Sequence, residues 1–167
     1  GAQFEEDITP FPYIRVTDFY DFTVDPSSIK YISTDLHEVI KRYVISVSDV
    51  YISIAGTIGL TGTIPEKLDG ANLTENAARI TQINGVNNRF LAYFLGSNLA
   101  QTQISTLIGT TTQPKLALER IEQIRVLIPH YEEQLRIIEV LNGVIASIDK
   151  LQKEQKKLVS LKQGLMQ

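Results

Sequence analysis

The apolar positions in the last part of the chain recur regularly between Tyr131 and Gln167. Their spacings alternate between four and three residues, which is the a/d pattern of a coiled coil. A helix over 131–167 would be roughly 55 Å long, and the sequence shows no obvious core on which its apolar seam could rest. The pattern therefore predicts a helical arm that projects from a compact head and pairs with another helix. The predicted seam contains Ile137, Leu141, Val144, Ile148, Leu151 and Leu158, with Gln155 as a polar position that either sets the register or is merely tolerated.

The residues before the arm show shorter and more varied patterns. Alternating apolar and polar residues predict a strand over 12–19, and the β-branched and aromatic run at 44–55 predicts two strands or one bent strand. Apolar residues at helical spacing predict a helix over 86–106, with Asn87 or Asn88 as its N-cap.

A short helix over 117–123 and a strand over 125–128 are predicted between these elements and the arm. Together these patterns indicate an α+β fold. We expect a predominantly β head over residues 1–130, followed by a single long C-terminal α-helix over 131–167 that forms a coiled-coil arm.

Composition limits the possible classes of protein. Hydrophobic residues make up 43% of the chain, which is enough for a core, and no cysteine is present for disulfides or thiolate metal sites. The first residues show neither a basic start nor an apolar run, and no stretch approaches the ~18 apolar residues of a membrane span. A cytoplasmic location follows as the expectation.

The net charge of −3 is unevenly distributed along the chain. Residues 1–38 contain eight acidic side chains against two basic ones, whereas residues 39–130 contain eight basic side chains against six acidic ones. Any surface for a polyanion must therefore be local, built from a few well-placed basic and amide side chains.

Catalytic and cofactor motifs give little support to an enzyme. His37 and His130 lie in no metal-ligand spacing, so we expect each to be structural or exposed. The turn that contains Gly56, Gly59 and Gly62 lacks the Walker lysine and the dinucleotide fingerprint. We therefore expect no metal and no cofactor, and the glycines indicate either a strand-connecting turn or a close approach to a polyanion.

Three polar segments and the first strand contain residue types that bind nucleic acid. Amides can bond adenine edges, arginine can read guanine, glutamate can accept from cytosine, and hydroxyls or lysine suit phosphate. The structural alternatives are turn capping by Asn and Thr, a solvated loop, or an ion pair between Arg15 and Asp18 or another acid. The candidates are Arg15, Thr57, Thr61, Asn72, Thr74, Glu75, Asn76, Arg79, Thr111, Gln113 and Lys115.

Five ordered blocks of this sequence resemble a known family. They read PYIRVTDF, SDVYISIAGTIGLTG, GANLTENAARI, GTTTQPKLALERIEQIRVLIP and the arm that begins YEEQLRIIEVL. They are similar to a target-recognition domain and its conserved helix in the specificity subunits of type I restriction–modification systems. The base-reading residues of that family vary with the target, so the resemblance supports regions rather than fixed positions.

The resemblance implies a non-catalytic subunit that reads double-stranded DNA. Such subunits carry two recognition domains held apart by two antiparallel helices, and each domain reads one half of a bipartite target. They recruit adenine methyltransferase subunits and, through them, a translocating nuclease subunit. The helices set the length of the unread spacer.

This chain differs from that pattern because it has one head and one helix. It is either one half of a longer subunit or a half-length form that pairs with itself, and its predicted seam favours pairing in both cases. Two other classes remain open from sequence: a self-standing enzyme with a coiled-coil dimerisation tail, and an oligomerisation scaffold.

Overall fold

The computed structural model describes residues 3–108 and 114–165. It shows a head of short strands and helices that leads into one helix of 35 residues. The strands are β1 (Pro12–Ile14), β2 (Phe19–Tyr20), β3 (Thr23–Val24), β4 (Lys30–Tyr31), β5 (Val50–Ser53), β6 (Thr61–Gly62), β7 (Asn72–Leu73) and β8 (Ala77–Ile80). The helices are α1 (Thr34–Ile40), α2 (Asn88–Gly96), α3 (Asn98–Leu107), α4 (Leu118–Ile121) and α5 (Tyr131–Leu165).

Two small sheets and a hairpin form the β part of the head. β1 lies between β4, to which it is antiparallel, and β7, to which it is parallel. β5 lies between β6 and β8 and is antiparallel to both, with Tyr51 opposite Arg79 and Ser53 opposite Ala77. β2 and β3 form a separate hairpin.

β5 is the centre of the head because its two faces are both buried. Successive side chains of a strand point to opposite faces, so Tyr51 packs in one core cluster while Val50 and Ile52 pack against the helices. These three side chains are at most 1% exposed. The first cluster also contains Ile14, Ile45 and Leu73, and the helical clusters contain Leu91, Leu95, Ile104 and Leu116.

The predicted strand over 12–19 is broken by the side chain of Asp18. This carboxylate is 1% exposed and accepts from the backbone N–H of Arg15 at 2.8 Å and from its guanidinium at 2.6 and 3.0 Å. Those bonds close a 3-10 turn at Val16–Asp18 between β1 and β2. Asp18 also holds the pKa of Arg15 above its ordinary value.

The predicted helix over 86–106 is two helices, because Ser97 is extended (φ −73°, ψ 157°) between α2 and α3. Asn87 is the N-cap of α2, since its side chain accepts from the N–H groups of Arg89 and Phe90. The predicted strand over 125–128 is not a strand. Instead, the Gln103 side chain pairs with both the N–H and the carbonyl of Arg125.

The β2–β3 hairpin packs on α2 through Phe22. The chain reverses at Asp21 and Phe22, whose φ angles are 42° and 63°. The Phe22 ring meets the Tyr93 ring edge-on at 4.9 Å and lies against Gly96, where a Cβ atom would overlap it. Gly96 is thus required by a close approach rather than by its backbone angles.

The first turns of α5 rest on the head, so part of this helix has a core that was not obvious from the sequence. Gln134 is 0% exposed and bonds to the N–H of Asn87 at 2.8 Å and to the carbonyl of Pro129 at 3.0 Å. Further along, Asn142 accepts from Tyr93 and from Arg89 on α2.

The predicted seam is divided between two environments. Ile137 and Leu141 line an apolar groove of about 570 Å³ between α5 and α2, so they face the chain's own head. The remaining seam positions, Val144, Ile148, Leu151 and Leu158, are 50%, 47%, 63% and 67% exposed. Every residue of 151–165 is exposed, which confirms an arm beyond the head.

Within the described ranges, no helix is both long enough and apolar enough to cross a membrane.

Candidate nucleic-acid interface

Three segments of the head meet at the end of β5. The N–H groups of Ile54 and Ala55 donate to the carbonyl of Asn76 at 2.7 and 3.2 Å, and Leu116 donates to the carbonyl of Ile54 at 2.9 Å. The glycine turn that follows β5, the polar stretch between β7 and β8, and the segment before α4 are therefore neighbours in space. These are the three segments that residue type alone picked out.

A groove of about 320 Å³ lies where the segments meet. Its polar lining comes from Tyr43, Glu75, Arg79 and Lys115, and its floor is apolar. Four of the predicted residues are exposed in or beside this groove, and a fifth, Thr57, is exposed in the turn that follows β5; we call the five the β5-end cluster. They are Thr57, Glu75, Asn76, Arg79 and Lys115.

Arg79 is anchored on one side and open on the other. Its Nη1 donates to the carbonyl of Val44 and lies 3.9 Å from the carboxylate of Asp49, while its side chain remains 41% exposed. Arg79 is opposite Tyr51 in the β5–β8 ladder, so the strand register fixes where it emerges. The guanidinium is thus held in place without being enclosed.

Glu75 is also fixed although it is exposed. Its Oε2 accepts from the hydroxyl of Tyr13 at 3.0 Å and from the hydroxyl of Thr74 at 3.4 Å. Its own backbone N–H lowers the pKa of Glu75 most, and the Tyr13 and Thr74 hydroxyls lower that pKa further. The carboxylate therefore keeps its charge and has a defined orientation.

Tyr43 and Arg42 belong to the same surface and were missed from sequence. The Arg42 guanidinium lies 4.7 Å from the centre of the Tyr43 ring and donates to its hydroxyl at 2.8 Å. Tyr43 lines the groove beside Lys115, so Arg42 brings another cation near it. The only sequence signal was a basic pair followed by an aromatic residue after the first helix.

Three predicted residues lie inside the head instead. The Thr61 hydroxyl donates to the carbonyl of Ala92 at 2.9 Å, and the Thr74 hydroxyl oxygen accepts from the N–H of Asn76 at 3.3 Å. Asn72 is 0% exposed. As folded, the polar groups of these residues are occupied by the protein and do not face a ligand.

Arg15 has the ion pair that was its structural alternative. Its guanidinium is held by Asp18 and by the carbonyl of Ser28, with 28% of the side chain exposed. Arg15 therefore stabilises the turn after β1 and does not join the β5-end cluster. Thr111 and Gln113, which were also candidates, lie outside the described residues.

The histidines agree with the structural or exposed expectation. His37 stacks on Phe11 at 4.1 Å and shares a 2.7 Å hydrogen bond with the amide oxygen of Asn72. The amide nitrogen of Asn72 lies 3.5 Å from the carbonyl of Ile40. His130 is exposed.

In the part of the chain that the structure describes, no three His, Cys, Asp or Glu side chains are grouped as a metal site.

A family model described as "Type I restriction modification DNA specificity domain" matches residues 3–160, and the chain belongs to this family. The fold is similar to that of the HsdS subunit from Thermoanaerobacter tengcongensis, with a TM-score of 0.67 and 19% identity over 84% of this chain and 37% of that one.

A second solved structure comes from work on complex assembly and conformational transition of the type I R-M system. It gives a TM-score of 0.64 at 18% identity, over 92% of this chain and 35% of that one. The chain thus spans just over a third of the length of these solved chains. The α+β head followed by a long helix is confirmed as the architecture they share.

Proposed function

We propose that this chain reads one half of a bipartite DNA target for a type I restriction–modification enzyme and does no chemistry itself. The observation that carries the proposal is the β5-end cluster, in which exposed polar side chains from three segments meet around one groove. In a member of a DNA specificity domain family, such a cluster is the surface best suited to base edges and phosphates.

Within the cluster, different side chains suit phosphate contacts and base contacts. Lys115 and Arg79 provide the cations for phosphate contacts, and the exposed Thr57 and Asn76 provide a hydroxyl and an amide near the end of β5. Phosphate contacts fix the register of a protein on the duplex, whereas base contacts carry the sequence information. The chemistry belongs to methyltransferase subunits bound to this chain and to a nuclease subunit that they recruit.

The proposal is tested by selecting from a duplex library with the chain assembled with its methyltransferase. The wild-type enzyme should enrich one half-target. Lys115→Ala should weaken binding to all sequences alike and reduce the salt slope by about one unit. The matched control is Lys67→Ala, a cation of the head whose charge acts on Asp25 rather than on the groove. A wild-type enzyme that enriches no sequence would contradict the proposed function.

The exposed part of the seam supports pairing of the arm with a second helix, from another copy or from a second specificity half. Ile148 and Leu151 keep the heptad phase and are exposed, whereas Leu141 lines the groove against the head. Replacing both with Asp should abolish the association, because each charge would lose its water at the interface. Ala146→Asp adds the same charge on the opposite side of the helix and is the control. Self-pairing would be contradicted if light scattering showed the unmodified chain to be a monomer at all concentrations.

We further propose that the head determines the half-target and the arm determines the spacer. Deleting one heptad, residues 152–158, keeps the a/d phase and shortens the arm by about 10 Å. Methylome sequencing should then show a shorter spacer, by about three base pairs at ~3.4 Å each, with the half-target bases unchanged. A changed half-target at the original spacer would contradict this division.

A further inference from the structure

Glu75 is the one acidic side chain of the β5-end cluster, and it is not there to neutralise the cations. Across residues 3–108 and 114–165, its carboxylate has no ion pair within 4 Å, since Arg79 pairs with Asp49 instead. An uncompensated carboxylate beside a phosphate backbone opposes binding. Its presence in this groove therefore indicates a ligand group that donates a hydrogen bond and needs an acceptor.

The carboxylate is aimed by groups that are themselves fixed. Tyr13 is 4% exposed and Thr74 is 5% exposed, and both hydroxyls donate to Oε2. Among the described side chains, none donates to Oε1. Oε2 is thus held by the interior of the head, while the carboxylate stays exposed and can accept a further hydrogen bond besides that of its own backbone N–H.

The surroundings of the groove favour a base edge over a phosphate. Leu73, Ala77 and Leu116 contribute to an apolar lining beside the carboxylate. Apolar neighbours remove water from a polar contact and strengthen it. In the major groove, cytosine offers a lone amino donor at N4, and glutamate is one of the side chains that accepts from it.

From this geometry we propose that Glu75 selects a cytosine in the half-target by accepting from its N4 amino group, and that Tyr13 is the positioning residue that aims the carboxylate. The inference rests on the proposed function, because it assigns a base to one member of the β5-end cluster. Arg79 and Lys115 offset the repulsion between Glu75 and the backbone by contacting phosphates on either side of that base.

The experiment selects half-targets from a duplex library with the assembled enzyme, using wild type, Glu75→Ala and Glu75→Gln. The wild type should enrich cytosine at one position. Glu75→Ala should lose roughly 5- to 150-fold of discrimination there and should bind the other three bases no more weakly than the wild type does. Glu75→Gln should shift that position towards adenine, because a Gln amide can bond both N6 and N7.

Tyr13→Phe distinguishes the positioning of the Glu75 carboxylate from an effect on folding. It should reduce discrimination at the same position only, and it should add nothing to Glu75→Ala in the double variant. Glu66→Gln removes an exposed acid of the head outside the groove and should leave every position unchanged.

The outcomes distinguish the role of Glu75 from the proposed function of the chain. A wild-type enzyme that selects a half-target, with Glu75→Gln selecting the same bases in the same order, would overturn the role of Glu75 and leave the proposed function standing. If Glu75→Ala is less stable to heat, the Glu75→Gln result alone decides. A wild-type enzyme that selects nothing would overturn both proposals.

Discussion

The hydroxyl of Tyr93 donates a 2.5 Å hydrogen bond to the amide oxygen of Asn142. Tyr93 lies on α2 in the head and Asn142 lies on α5, so this bond joins the head to its arm. Arg89 reinforces it, since its Nε lies 3.2 Å from both oxygens. The orientation of the arm is thus determined by side chains near its root.

We expect Tyr93→Phe and Asn142→Ala each to destabilise the chain, with a coupling of about 0.5–1.5 kcal/mol in a double-mutant cycle. Urea unfolding of the four proteins measures this coupling. Ser147→Ala is the control, because the Ser147 hydroxyl donates to the carbonyl of Gly143 within the same helix and its loss should be additive with Tyr93→Phe. Additivity between Tyr93 and Asn142 would show that the bond does not fix the arm.

Gly96→Ala should destabilise the head by about 1–3 kcal/mol, because the added Cβ overlaps the ring of Phe22. Gly143→Ala, a helical glycine with open space around it, should instead stabilise by up to about 1 kcal/mol. Phe22→Leu combined with Gly96→Ala should recover part of the loss. Thermal denaturation of these variants checks the expectation, and an unchanged melting temperature for Gly96→Ala would refute the close approach.

Stability should depend on pH through Glu75. Its pKa is lowered in the folded chain from an ordinary value of 4.5, mainly by its own backbone N–H and also by Tyr13. Because the folded pKa is the lower one, the stabilisation is complete above pH 4.5 and is lost as the pH falls through the folded pKa. Tyr13→Phe should raise the pKa of Glu75.

The free-energy difference between wild type and Tyr13→Phe should therefore be larger at pH 6 than at pH 3. NMR titration of the Glu75 carboxyl and urea unfolding at the two pH values measure both effects. Tyr131→Phe, at a tyrosine that is 51% exposed on α5, is the control and should change neither. A Glu75 titration that is the same with and without the Tyr13 hydroxyl would exclude this coupling.

Asn72 and Asn76 make a matched pair of amides, four residues apart and in opposite environments. Asn72→Ala should cost about 1–3 kcal/mol, because the part-buried hydrogen bond of His37 loses its partner. It should weaken binding to all targets while keeping their order. Asn76→Ala should change stability little and reduce discrimination at one position by ~1–3 kcal/mol. If Asn72→Ala instead altered the order of targets, our placement of the reading surface would be wrong.

The long helix was predictable because its heptad pattern is strong and local to the sequence. The sequence did not show which residues of that helix face the head, because the first part of the seam and the head-facing stripe overlap at Leu141. The buried amide of Gln134 looks like an ordinary surface residue until its partners at Pro129 and Asn87 are in place. The break at Ser97 was equally hidden, since apolar residues at helical spacing continue on both sides of it.

Residue type identified the polar segments of the candidate site, but it did not show which of their side chains are exposed. Asn72 and Thr74 have the same composition signal as Asn76, and only the folded structure shows that both are buried. For Arg15, the structural alternative was visible in the sequence, because Asp18 lies three residues later. In the structure these two residues form an ion pair.

The contact between α5 and the head extends well past the start of the helix. Gln134 and Asn142 both bond to the head, and they are separated by about two helical turns. A hybrid protein that exchanges heads with a crossover at residue 130 would therefore join a foreign head to mismatched helix residues. A crossover placed after Lys153 keeps Gln134 and Asn142 with the head that they contact, and under the proposed function it is the better junction for exchanging half-targets.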